Sequence, residues 1–172
     1  MVDGNRRGDP DRGPSPSGRP RLLVSACLLG SPCNYKAAAS PRGCVSDLGD
    51  DFELIPICPE VEGGLPVPRP PAEIGPDGRV RTADGIDVTA SFEQGARVAV
   101  ELAASKQVVA AVLKARSPSC GSGLVYDGTF SARLVDGDGV TAAALRNTGI
   151  VVLTEEDVAR GERPSGQTNR RD

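Results

Sequence analysis

Five cysteines and no histidine set the chemistry open to this chain. Without imidazole there is no His general base, no Ser–His or Cys–His nucleophile pair and no His metal ligand. Any metal must therefore sit on Cys, Asp or Glu. The thiols are Cys27, Cys33, Cys44, Cys58 and Cys120. Their number is odd, and a chain read as cytoplasmic keeps thiols reduced, so they do not read as a disulfide framework. A cysteine can be no more than a small buried hydrophobe. The settings of three of them argue for more.

Cys27 ends the apolar run Leu22-Leu23-Val24-Ser25-Ala26, and Cys58 ends the run Leu54-Ile55-Pro56-Ile57. Cys120 lies in Ser117-Pro118-Ser119-Cys120-Gly121, just past the run Val108 to Leu113. All three thus follow expected strands, and in an open parallel sheet the C-terminal strand ends form the ligand-binding edge. Three soft thiolates suit zinc or an iron–sulfur cluster. Structural zinc usually takes four ligands in short local pairs, and no CxxC occurs here, which also counts against a thiol redox enzyme. Three cysteines on a four-iron cluster leave one iron open to act as a Lewis acid. Spacing alone leaves both metals, and three plain buried thiols, open.

The elements that must position these residues alternate between strand and helix. Strands are expected at Arg21–Ala26, Glu53–Ile57, Gln107–Leu113 and Ile150–Leu153. A helix capped by Asp87 or Thr89 runs to about Ser105 with Phe92, Ala96, Ala99, Leu102 and Ala103 on one face. A second, capped by Thr141, runs to about Asn147 and ends at Gly149. Residues 34–50 are ambiguous, 121–133 read as a short hairpin, and the Pro/Gly-rich stretch Val61–Pro76 reads as a long irregular loop of the functional kind. The fold class is α/β, a single-domain Rossmann-like parallel sheet with flanking helices. Residues 1–20 and 161–172 read as disordered tails around a domain at 21–160, whose roughly 140 residues suffice to bury a self-sufficient core.

Composition excludes several function classes. The net charge is −3, so general attraction to nucleic acid phosphate is not expected. The longest apolar run has six residues, Val108–Leu113, against the roughly 20 of a membrane span. No apolar leader precedes the domain, and the expected address is the cytoplasm.

Five segments carry a resemblance: VSACLLGSPCNY (Val24–Tyr35), CPEVEGGLPVPRPPAEI (Cys58–Ile74), GIDVTASFEQGA (Gly85–Ala96), LKARSPSCG (Leu113–Gly121) and YDGTFSARLVDGDGVTAAALR (Tyr126–Arg146). Over about residues 21–155, in the same order, the chain resembles the bacterial thiouracil desulfidase (TudS-like) family. The resemblance implies a [4Fe-4S] cluster on Cys27, Cys58 and Cys120 with one open iron. It implies non-redox desulfuration of 4-thiouracil or its nucleoside or nucleotide, such as 4-thio-UMP, to uracil or UMP and hydrogen sulfide. The sulfur is captured by the open iron, a water adds to the ring carbon after a base takes its proton, and no electron donor is needed. Such a protein depends on the iron–sulfur assembly machinery of the cell. The alternatives are the same chemistry on 4-thiouridine in tRNA, disfavoured by charge, and a non-catalytic zinc-binding module.

With histidine absent, the base must be a carboxylate or hydroxyl network. Glu60, two residues past a ligand position, is the candidate base; its bland alternative is a loop carboxylate capping backbone amides. Ser117, three residues before Cys120, is expected to hydrogen-bond the substrate ring or relay a proton, against an ordinary Ser-Pro turn. Ser119 and Ser25 read as turn residues or donors to cluster sulfur. Cys33 matches a family position as a substitute ligand or redox-reactive neighbour, and Cys44 reads as a plain buried thiol. Arg69, Lys114 and Arg116 are either solvated or phosphate contacts, with Glu73 a partner for Arg69.

Overall fold

The apolar runs cannot face water, and four of them solve the problem by pairing side by side. In the computed structural model, which describes residue 15 and residues 17–165, β1 (Arg21–Ser25), β2 (Glu53–Ile57), β5 (Val108–Leu113) and β8 (Val151–Thr154) form one sheet. The order is β2-β1-β5-β8 and every pairing is parallel. Leu23 of β1 lies opposite Ile55 of β2 and Ala111 of β5. Successive strand residues point to opposite faces, so each strand feeds two cores.

On one face Leu23, Ala111, Leu113 and Val152 pack with Ala99 and Ala103 of helix α3 (Thr89–Ser105) and with Ala142 and Leu145 of α4 (Val140–Asn147). On the other, Leu22, Val24, Ala110 and Val112 meet Val45 of the short helix α1 (Gly43–Ser46) and Val158 of α5 (Glu155–Ala159). Each fully buried leucine or valine here stabilises the fold by roughly 1.5–3 kcal/mol relative to exposure. Helix α3 buries Phe92, Gly95, Ala96, Ala99 and Ala103, the three-and-four spacing of one helical face.

The chain leaves β1 toward β2 on one side and returns to β5 and β8 on the other. Strand order therefore reverses beside β1, and the loops after β1 and β5 diverge to open a crevice at the C-terminal edge. Above that edge sit α2 (Pro59–Glu62), the antiparallel pair β3 (Ala72–Ile74) with β4 (Val80–Thr82), and the pair β6 (Leu124–Tyr126) with β7 (Leu134–Asp136). Helices α2 and α3 meet backbone to backbone: a Cβ on Gly95 would lie 1.9 Å from the Pro59 carbonyl oxygen, and one on Gly63 2.0 Å from that of Ser91. No helix among the described residues is long and apolar enough to cross a membrane.

The α/β class and the four sheet strands agree with the sequence reading, with several local differences. The stretch 61–76 is not wholly irregular, since it contains β3; a three-residue strand is too short to show a period. Residues 34–50 hold α1 and a 3₁₀ turn at Asp47–Asp50. Helix α3 is preceded by Val88, not capped by Asp87 or Thr89: Asp87 accepts the Thr89 amide at 3.0 Å and pairs with Arg79, while Thr89 Oγ1 accepts the Val80 amide. Helix α4 starts after Gly139, and Thr141 lies inside it, facing Ser119. Of the tails expected at 1–20 and 161–172, residues 1–14, 16 and 166–172 lie outside the described residues. Within the described part of the second, Arg163 pairs with Asp51 at 3.6 Å and Pro164 is buried.

Candidate active site

Three strand ends deliver three thiols to one cavity. Cys27 sits in a 3₁₀ turn directly after β1, Cys58 is the residue that caps α2 directly after β2, and Cys120 is in the turn beyond β5. All three line a cavity of about 490 Å³, within the range of about 300–1,000 Å³ usual for small-molecule sites. Cys33, Glu60, Ser117 and Ser25 line it too. Cys44 does not; it packs beside the α1 core, as a plain thiol would.

The thiols are close enough to feel one another. Burial, then the neighbouring Cys58, pushes Cys27 up to about 11, partly countered by the Lys114 ammonium. Burial pushes Cys120 to about 12, against a hydrogen bond from Ser25. Cys33 is likewise pushed to about 12 by burial and by Cys58, with which it shares a side-chain hydrogen bond. The Cys58 thiol also donates to the Cys33 carbonyl at 3.6 Å. Burial and mutual repulsion thus favour the neutral thiols, and a cation with sulfur affinity bound among them would favour the thiolates.

That donor set fits an iron–sulfur core. It consists of soft thiols with no imidazole, brought from separate loops. Among the described residues no three Cys, Asp or Glu gather closely enough to hold a single metal ion. A cluster presents separate irons to separated ligands.

Around the thiols, the polar side chains are locked. The Arg69 guanidinium, 5% exposed, donates from Nε to Glu60 Oε2 at 2.5 Å and from Nη1 and Nη2 to the Cys33 carbonyl at 3.1 Å; Nη1 also reaches the Pro66 carbonyl at 3.2 Å. It thereby ties α2, the Cys33 loop and the proline-rich segment together. Glu60 is in a buried ion pair rather than capping amides; its Oε1 has no hydrogen-bond partner among the described residues. Ser117 Oγ accepts the amides of Ser119 and Cys120, both at 3.1 Å, so it shapes the turn that carries Cys120. A hydroxyl has two acceptor sites and one proton; with both sites used, the proton is left to donate.

Ser25 hydrogen-bonds the Cys120 thiol, and its oxygen accepts the Lys114 amide at 2.9 Å. Ser119, expected as a turn residue or a donor to cluster sulfur, has the turn role: it is fully buried, and its hydroxyl is 2.9 Å from Thr141 Oγ1, tying the turn to α4. Glu73 does not pair with Arg69. Its Oε2 accepts the amides of Gly128 and Phe130, each at 3.0 Å. Nor are the cations bare: Lys114 pairs with the buried Glu155, and Arg116 with Glu156 at 2.8 Å. Glu155 also accepts the Ala115 amide at 2.6 Å and so fixes the loop after β5. No sequence signal marks Glu155, because a buried carboxylate with a backbone partner looks like any helix-start acid.

Comparisons with known proteins show the family. The family model described as 2-thiouracil desulfurase matches residues 22–157. The Bacillus subtilis (strain 168) protein YbbK, described as uncharacterized, is 39% identical over 146 residues, 80% of this chain and 97% of its own. A solved structure described as "[4Fe-4S]-dependent thiouracil desulfidase TudS" is 42% identical, covers 83% of this chain and 95% of that one, and superposes with a TM-score of 0.76. A family match that spans both the sheet and every cavity-bearing loop identifies this chain as an enzyme of the 2-thiouracil desulfurase family.

Proposed function

We propose that this enzyme removes sulfur from a thiolated pyrimidine, 4-thiouracil or its nucleoside or nucleotide, releasing uracil or UMP and hydrogen sulfide with no change of oxidation state. The observation that carries the reading is the convergence of Cys27, Cys58 and Cys120 on one cavity whose wall also bears Glu60 and Ser117. Cys27, Cys58 and Cys120 would hold a [4Fe-4S] cluster, loaded by the iron–sulfur assembly machinery of the cell. When bound, it would supply an iron without a protein ligand, a Lewis acid for the thiocarbonyl sulfur.

The rest of the work belongs to the chain. Arg69 holds Glu60 Oε2, which fixes the carboxylate against the cavity and leaves Oε1 to take a proton from the water that adds to the ring carbon. Ser117, its oxygen occupied by two amides, donates its proton to the pyrimidine ring and orients it. The apolar walls of Ile57, Pro59, Pro71 and Pro118 limit water to what the reaction uses. A nucleotide's phosphate would meet Arg116, because its ion pair with Glu156 is exposed and such pairs hold by about 0–1 kcal/mol, whereas Arg69 is buried and bonded to Glu60 and to two carbonyls.

The test is anaerobic purification with iron and sulfide counts, then sulfide release from 4-thiouracil, 4-thiouridine and 4-thio-UMP. About four irons per chain with sulfide release is the expected result. Zinc in place of iron, or a cluster that releases no sulfide from any of the three, overturns the proposal.

A further inference from the structure

Five residues other than glycine hold a positive φ among the described residues: Ala37, Gln107, Arg116, Phe130 and Ala132. Three of them, Arg116, Phe130 and Ala132, line the cavity. Left-handed backbone is unfavourable for an L-residue, and for a bulky one it persists only where the surroundings impose it. Phe130, at φ +57°, is the sharpest case.

Glu73 imposes it. This buried carboxylate on β3 uses one oxygen to accept both the Gly128 and Phe130 amides. The turn is pressed onto the same strand from behind, since a Cβ on Gly128 would lie 2.7 Å from the Gly75 Cα. Yet the side chain so carefully placed is not packed away: Phe130 remains 39% exposed at the cavity wall. A phenyl ring kept out of the core by a buried acid offers a flat apolar π-face to whatever enters. The other two rings of the cavity are engaged elsewhere, although Tyr35 is as exposed as Phe130. Tyr35 has the Lys36 ammonium 5.4 Å from its ring centre, and Tyr126 is part of the β6–β7 pair.

We propose that Phe130 is the face on which the substrate's pyrimidine ring stacks, and that Glu73 is the positioning residue that presents it. The proposal rests on the thiouracil reading above and adds the group that selects a flat ring. The test compares the cluster-loaded wild type with Phe130→Ala, Phe130→Leu, Phe130→Tyr and Glu73→Ala, using 4-thiouracil and its puckered 5,6-dihydro analogue. Base–aromatic stacking predicts that Phe130→Ala and Phe130→Leu raise KM for 4-thiouracil about tenfold, with the loss in KM rather than kcat and with iron content unchanged. Phe130→Tyr, which keeps a ring, recovers most of that loss, and Glu73→Ala raises KM in the same direction. Uracil affinity, measured by calorimetry, falls in parallel with Phe130→Ala. The dihydro analogue, which cannot lie flat, binds equally to wild type and Phe130→Ala. An unchanged KM for 4-thiouracil, or an equal rise for both substrates, overturns the stacking role alone. A wild type that releases no sulfide overturns the desulfidase reading and this inference together.

Discussion

Replacing Arg69 by methionine removes the one cation that α2, the Cys33 loop and the proline-rich segment share. The side chains of Arg69 and Glu60 are 5% and 16% exposed, so the pair is close to the buried limit. Removing one member of a buried pair costs about 3–5 kcal/mol, mostly because the other charge is left without a partner. Here the Cys33 and Pro66 carbonyls also lose their donors. For a chain of this size each kcal/mol moves the midpoint by about 2–4 °C, so Arg69→Met should melt about 10 °C below wild type. Thermal unfolding of the cluster-loaded protein followed by circular dichroism, with iron counted beforehand, reads this directly. The double variant Arg69→Met/Glu60→Gln should recover about 1–3 kcal/mol, because the stranded carboxylate is gone. A single variant that melts within about 2 °C of wild type, or a double variant that recovers nothing, would refute the claim that Arg69 balances Glu60.

Four further outcomes follow from the site. Alanine at Cys27, Cys58 or Cys120 should abolish iron retention in anaerobic preparations, whereas Cys44→Ala should keep a full complement; a complete cluster in any of the first three removes that residue from the ligand set. Cys33→Ala should also retain iron, since the contacts that its carbonyl makes with Arg69 and Cys58 survive the loss of the thiol. Glu60→Gln should keep the iron and lower kcat by about 100-fold, the scale of a lost general base. Ser117→Ala should slow turnover and loosen the cluster, seen as faster iron loss to a chelator, because two amides of the Cys120 turn lose their acceptor.

The strand ends were legible in the sequence because a parallel sheet places them on one edge whatever the intervening loops do. That rule brings Cys27, Cys58 and Cys120 together from positions 93 residues apart (120 − 27) without knowledge of any contact. The place of Glu60 and Ser117 at the cavity was legible for the same reason, each lying within three residues of one of these cysteines. Arg69 was not: a proline-flanked arginine reads as solvated, and the acceptors that bury it are a carbonyl 36 residues away and a carboxylate nine residues away. Backbone acceptors leave no trace in residue identity. Glu73 was misread through the same gap, since its partners are two amides of a distant turn. Ser119 and Ser25 carried the same two readings because the direction of a side chain in a tight turn depends on torsions that spacing does not encode.

The contact between α2 and α3 contains no side chains at the points where Gly63 and Gly95 touch the carbonyls of Ser91 and Pro59. Packing between ordinary helices can be retuned by trading a valine for a leucine. This one has no such adjustable layer, so the segment bearing Cys58 and Glu60 rests on a hard stop. Any change in substrate choice is thereby steered away from the rear of the site. It falls instead to the loops at the front, where Tyr35, Arg116 and Phe130 can change without moving the thiols.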